Sequence, residues 1–244
     1  FDILWTEPDR ADRAGDEALA AAVRRHGKAV VSFHQWQEPR PVSSATQREL
    51  ERLLQRFPTG NAASQQQLTR VVPEVLQPPL PGVLAAAAAA GTVDVNADPD
   101  GVYRTPVILR TTTDGLLIPQ FALAVACVAE ETQLTTAFET APEFVRVGAR
   151  HVPLLDGGVW LQPIARRGGG FTRRLGSPVP TVSFSEALKT PPEQFRDKIV
   201  LVGETATGTT DVRSTVLDEG LRGVEFNAEV VANLVHLEPV TAFP

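Results

Sequence analysis

The chain of 244 residues has no methionine, one tyrosine and one cysteine. A lone thiol rules out an intrachain disulfide framework, so the fold must be held by its core. Cys127 lies in the apolar pattern PQFALAVACVAEE, where it reads as a small buried hydrophobe on a helix rather than a reactive thiol. No run of 18 apolar residues occurs, so no segment has the length of a spanning helix. An excess of positive charge is also missing: Lys and Arg number 23 against 29 Asp and Glu, for a net charge of −6. General attraction to nucleic acid or to an anionic membrane is therefore not expected. The sequence lacks GxSxG, HExxH, CxxC and GxGxxG, and its four histidines (His26, His34, His151 and His236) do not have metal-ligand spacing. No enzyme constellation, metal or cofactor is expected. There is no initiating Met and Phe1 falls inside an apparent strand, which suggests a fragment whose flanks hold membrane anchors.

With 43% apolar residues the chain can bury a sizeable core. The pattern points to one α/β domain over 1–244, with a mixed, mostly parallel central sheet flanked by helices and carrying inserted β-hairpins. The first 33 residues read as a βαβ opening. Ile3, Leu4 and Trp5 form a strand, and an acidic loop runs through Glu7-Pro8-Asp9. A helix starts at Asp16-Glu17 and ends with Arg24, Arg25 and His26 before Gly27, and Ala29 to Phe33 follow as a strand. Residues 34–82 are an irregular helical and loop excursion. One helix stands out in it, opened by Ser44-Ala45-Thr46-Gln47 and carrying Leu50, Leu53, Leu54 and Phe57 on one face.

Leu84 to Ala90 reads as an alanine-rich helix closed by Gly91. Thr92 to Asn96 and Val102 to Leu109 read as a hairpin around Asp98-Pro99-Asp100-Gly101. Pro119 stands at a helix start ahead of Phe121, Leu123, Val125 and Val128. Val145 to Val147, His151 to Leu154 and Val159 to Ile164 read as short antiparallel strands. Ser183 to Glu186 and Thr190 to Glu193 have capping-box spacing. Ile199 to Val202 reads as a strand buried on both faces, and Glu225 to Val235 as a helix with Phe226, Val230, Val231 and Leu234 inward.

In an open α/β sheet, ligands bind beyond the carboxyl ends of the strands. Two loops meet that condition. The first holds Glu7, Asp9, Asp12 and Asp16, whose oxygens suit a hard cation but lack EF-hand spacing, so helix capping and ion pairs with Arg10 and Arg13 are the plainer reading. The second runs from Gly203 to Asp211 and offers Glu204, Thr205, Thr207 and Asp211, with Arg213 beyond, to an anionic or polar ligand. The plainer reading there is a crossover loop held by its own Thr and Asp hydrogen bonds. The loop with Arg166, Arg167, Arg173 and Arg174 around Phe171 reads as a solvated turn, not a nucleic-acid contact.

Seven segments in order resemble one known family: FDILWTEPDRAD, GTVDVNADPDGVYRTPVIL, PQFALAVA, RVGARHVPLLDGGVWLQPI, PTVSFSEAL, FRDKIVLVGETATGTTDVRSTVL and GVEFNAEVVANLV. Together they cover the chain almost end to end and are similar to the type-2 CHASE domain, the extracytoplasmic sensor associated with bacterial cyclases and histidine kinases. Two segments depart from the family pattern. Phe226-Asn227-Ala228-Glu229 stands where the family has His-Ala-Asn, and Trp160 to Arg166 stands where it has an NYRG-like turn.

The resemblance implies a non-enzymatic sensor outside the cytoplasmic membrane, preceded by one transmembrane helix and followed by several more and an output domain. That output is a nucleotide cyclase, a kinase or a diguanylate cyclase. The expected partners are an unidentified small molecule or an envelope protein, with a homodimer as a further expectation and no nucleic acid. The competing readings are an envelope protein-interaction or dimerisation module without a small-molecule ligand, and a soluble α/β enzyme.

Overall fold

The computed structural model describes residues 1–9, 13–36, 43–54, 70–72, 75–112, 117–132, 144–155, 157–162, 179–205, 211–217 and 220–236. Its α/β character is plain. The helices are α1 Arg13–His26, α2 Ser44–Leu54, α3 Pro81–Ala86, α4 Phe121–Ala129, α5 Phe184–Ala187 and α6 Gly223–Val235. The strands are β1 Val30–Trp36, β2 Arg70–Val72, β3 Val75–Gln77, β4 Ala89–Thr92, β5 Leu109–Thr112, β6 Leu117–Pro119, β7 Phe144–Val147, β8 Arg150–Pro153, β9 Val212–Arg213 and β10 Leu221–Arg222. The described ladders form four small sheets, ordered β3-β1-β4, β2-β5-β6, β7-β8 and β9-β10. A single central, mostly parallel sheet is not what these ladders make.

β1 is buried on both faces because its side chains alternate between two cores. Val30 joins Phe121, Leu123, Phe226, Val230 and Leu234 around α4 and α6, whereas Val31 and Phe33 join Val23, Leu76, Val83 and Leu84 beneath α1 and α3. α1 ends as its sequence dictates: Gly27 takes φ +76° and its N–H reaches the Val23 carbonyl at 3.2 Å. The helix begins at Arg13, three residues earlier than its acidic start suggests. Ser43, rather than Ser44, caps α2, its Oγ accepting from Thr46 N at 3.1 Å.

Several expectations are corrected. The strand at Ile3, Leu4 and Trp5 reduces to one parallel bridge, Asp2 to Gly203. The backbone carbonyls that would build a ladder are taken elsewhere, Ile3 O by Ser32 Oγ (3.1 Å) and Trp5 O by Leu80 N (2.6 Å). Within 34–82 the described residues include, besides α2, the short strands β2 and β3.

The alanine-rich helix stops at Ala86, and Gly91 lies inside β4, paired with Ser32 of β1, instead of closing a helix. Alanine's helix preference is worth less than about 1 kcal/mol per residue and yields to the ladder. Packing then fixes the glycine, because a Cβ on Gly91 would sit 2.6 Å from Phe121 Cα.

The turn at Asp98 to Gly101 forms, with Gly101 at φ +84° and its N–H 2.9 Å from Asp98 O, but its arms do not make the expected hairpin. β4 pairs with β1, while the returning arm bonds to residues 157–161: Val159 N reaches Pro106 O at 3.1 Å and Leu161 N reaches Arg104 O at 2.8 Å. Side chains close the loop instead. Arg104 grips Asp100 (2.7 Å) and Asp98 (3.3 Å), and its hydrogen bonds bring the Asp100 carboxyl down to about 2. The β7-β8 hairpin forms as read.

Ser183 and Glu186 make the expected capping box at α5. Thr190 does not cap, because Pro191 takes that position before a 3-10 turn at Pro192–Gln194, and the Thr190 hydroxyl donates to Glu186 O (2.9 Å). Ile199 to Val202 lies outside any ladder, with Ile199 36% and Val200 49% exposed. Phe57, Asp12, Thr207, the arginine loop at 166–174 and residues 61–69 lie outside the described residues.

The close approach at Gly91 gives a direct test. Gly91→Val is expected to cost about 1–3 kcal/mol through overpacking against backbone, read as a lower urea midpoint at unchanged m. Gly82→Ala, whose nearest atom is Ala20 Cβ at 3.7 Å, is expected to leave the midpoint nearly unmoved.

Candidate functional site

Helix α6 is buried almost all round, and it carries Asn227, Glu229 and Asn233 into the interior at 4–6% exposure. Buried polar groups need partners. Asn227 Nδ2 donates to Asp2 Oδ2 at 3.0 Å, and its Oδ1 accepts from Gln120 Nε2 at 2.7 Å. Gln120 Oε1 in turn accepts from Ala122 N at 2.6 Å, capping α4. A continuous polar chain thus links the first residues to the start of α4 through the last described helix. At the other end of α6, Asn233 exchanges two hydrogen bonds with the Gln162 backbone (2.7 and 3.1 Å), acting as a substitute strand for residues 160–162.

Asp2 is the charged end of that chain. Burial raises its carboxyl above the usual range, and the Asp211 charge adds to this, while the hydrogen bond from Asn227 and the Arg213 cation pull the other way. Asp211 and Arg213 form an ion pair at 2.6 Å, and the Arg213 guanidinium lies 5.5 Å from the centre of the Tyr103 ring, which packs edge-on against Phe226. Asp211 also braces the start of α6: its carbonyl accepts from Gly223 N at 3.1 Å, and a Cβ on Gly223 would run into its carboxylate. Of the loop residues picked from sequence, the structure therefore brings Asp211 and Arg213 together beside Asp2. Glu204 and Thr205 are exposed. In the acidic opening loop Asp9 N donates to Asp16 Oδ2 of α1 at 3.1 Å, and Glu7 and Asp9 are exposed. Among the described residues no group of three or more His, Cys, Asp or Glu could hold a metal ion.

A second polar group was not picked out from sequence. At the carboxyl ends of the parallel pair β1 and β4, His34 Nδ1 meets Asp94 Oδ1 at 2.9 Å, and Asp94 Oδ2 accepts from Thr92 Oγ1 at 2.7 Å. Two residues on, Asn96 Oδ1 accepts from Arg110 Nη2 at 3.4 Å, and Arg110 itself is only 4% exposed. Gln77, opposite His34 in the β1-β3 register, leaves its Oε1 buried without a hydrogen-bond partner. The available signal was a charged residue inside an apolar alternation, Arg110 after VIL and Asp94 between Val93 and Val95. Thr92 also bridges to Gln120, so this group adjoins the Asp2-Asn227-Gln120 chain through one backbone contact. Cys127, at the centre of α4, is buried and its thiol is pushed up to about 12, an inert side chain as its sequence pattern implies.

Comparison with known families gives one result: the family model described as the CHASE2 domain matches residues 1–243. Comparison with curated proteins and with solved structures gave no match. Among the described residues no helix is long and apolar enough to cross a membrane.

Two outcomes are expected from the polar chain. Gln120→Ala removes a helix cap and leaves Asn227 Oδ1 without its donor, a combined loss of about 2–4 kcal/mol in chemical unfolding. Asp2 holds its proton to higher pH folded than unfolded, so its burial penalty is present at neutral pH and is relieved as pH falls through the raised value. Asp2→Asn should therefore stabilise the domain at pH 7, and the advantage should shrink toward pH 4 in urea midpoints measured across that range.

Proposed function

The chain belongs to the CHASE2 domain family, whose members are extracellular sensory domains of signalling receptors, and on that premise we propose that it is the ligand-sensing domain of a bacterial membrane receptor. In this reading transmembrane helices flank the domain and hold it outside the cytoplasmic membrane, and they carry its state to a cytoplasmic cyclase or kinase. The domain itself performs no chemistry. The observation that carries the reading is coverage: the family match takes in residues 1–243 and so the whole of both cores.

The His34, Asp94, Asn96 and Arg110 group is the proposed ligand position, at the strand ends where α/β sheets bind. It offers the half-buried His34 imidazole and Asp94 carboxylate, with the Asn96 amide two residues on held by the buried Arg110 guanidinium, which suits a small polar ligand. In this reading the parallel contacts of β1 with β4, β2 with β5, Asp2 with Gly203 and Thr92 with Gln120 belong to one mixed sheet beneath it, which the antiparallel β1-β3 and β5-β6 ladders extend. Through Thr92 and Gln120 the ligand would act on Asn227 and Asp2, and so on the two ends of the domain together. It signals only by the difference in its affinity for two arrangements of those ends.

The test is thermal unfolding of residues 1–244 with amino acids, small dicarboxylates and inorganic phosphate as separate probes. A specific ligand at about 100 times its Kd adds about 2.7 kcal/mol of stability, and His34→Ala and Asp94→Asn are expected to abolish that gain. Unchanged unfolding with all three classes would overturn small-molecule sensing of this kind.

A further inference from the structure

We propose that the segment Lys198 to Glu204 is a self-pairing β edge through which two copies of this domain associate. The run Ile199-Val200-Leu201-Val202 has the composition of a strand buried on both faces, yet Ile199 and Val200 are among the exposed large hydrophobic residues. Among the described residues, no backbone N–H or C=O of Ile199, Val200 or Leu201 makes a hydrogen bond. Such a segment, apolar, β-prone and unpaired, is a template for another strand.

One of its two edges is already used. Val202 O accepts from Asp2 N at 2.8 Å, and the bridge falls at Gly203. In a strand, successive residues aim their N–H and C=O groups at opposite edges. Val202 faces Asp2, so an extended Leu201, with Ile199 and Gly203 on either side, faces the open edge.

The occupant is a second copy because the sequence is self-complementary about Leu201. An antiparallel pairing centred there sets Leu201 against its counterpart, Val200 against Val202, Ile199 against Gly203 and Lys198 against Glu204. Lys198 and Glu204 are both exposed and make no ion pair among the described residues. The twofold operation therefore joins opposite charges at both ends of a short apolar ladder and leaves no like charges facing.

Two large apolar residues of α5 and the turn after it are exposed too. Phe184 and Leu188 are 71% and 74% exposed. Val182 is 43% exposed. The inference does not depend on the identity or existence of a small-molecule ligand.

Sedimentation of residues 1–244 over a concentration series, with circular dichroism to verify folding, tests this. The native chain is expected to dimerise. K198E and E204K, each placing like charges opposite one another twice, should weaken the dimer by roughly tenfold, and the double reversal K198E/E204K should restore it. In hydrogen exchange the amides of Ile199 and Leu201 should gain protection on dimerisation. A monomer at every concentration, a dimer indifferent to the single reversals, or amides already protected in a monomer would each overturn the proposal.

Discussion

The architecture depends on keeping one buried helix satisfied. α6 brings three polar side chains into an interior that otherwise excludes water, and an unmet amide there costs as much as a well-packed side chain contributes. Asn227 meets the demand by standing between Asp2 and Gln120, and Asn233 by pairing with the Gln162 backbone. Hydrophobic burial of Phe226, Val230 and Leu234 supplies attraction without direction. The amides set the helix's rotation and register, since a turn of one residue would move both asparagines away from their partners. The N-terminal segment, the start of α4 and the stretch at 160–162 each take position from that helix.

The same constraint relates the two polar groups. The chain through Asn227 is internal and occupied, each member using its donors and acceptors on a neighbour. The His34, Asp94 and Arg110 group lies at the strand ends, where His34 and Asp94 are half-buried and reachable. The two groups' contact through Thr92 and Gln120 is backbone to backbone. Any change transmitted there moves a strand end against a helix cap and does not pass a proton.

Sequence and structure agree where one local rule governs an element. Gly27 ends α1, Ser183 and Glu186 cap α5, and the Phe226, Val230, Val231, Leu234 stripe buries as its spacing requires. They part where a tertiary contact decides. Nothing in a run of alanines reveals that Phe121 will press on Gly91 and pull Ala89 and Ala90 into a strand. The Asp98 to Gly101 turn was legible, but the partner of its returning arm, Pro106 and Arg104 against residues 159–161, is a long-range choice. Asp211 and Arg213 were legible as polar loop residues, while their neighbour Asp2 lies more than two hundred residues away in sequence. His34 was weighed as a metal ligand because histidine spacing is visible in a sequence, whereas its carboxylate partner sixty residues on is not. The family resemblance was legible throughout because ordered motifs survive such local misreadings.

Asp2 and Asn227 are separated by 225 positions, so their contact closes nearly the whole chain into a loop. Closing a loop of that length costs only about 0.6 kcal/mol more than one half as long, so the equilibrium penalty is modest. The kinetic consequence is larger. A core whose central helix is the last of the domain's described elements cannot be completed until that helix has left the ribosome or a translocation channel. The first 220 residues must remain as a partly assembled intermediate, with the partners of α6 uncovered, until that helix appears. Quality control of this domain would therefore act on its final segment, and a truncation that removed only α6 would leave a chain rich in secondary structure but without a finished interior.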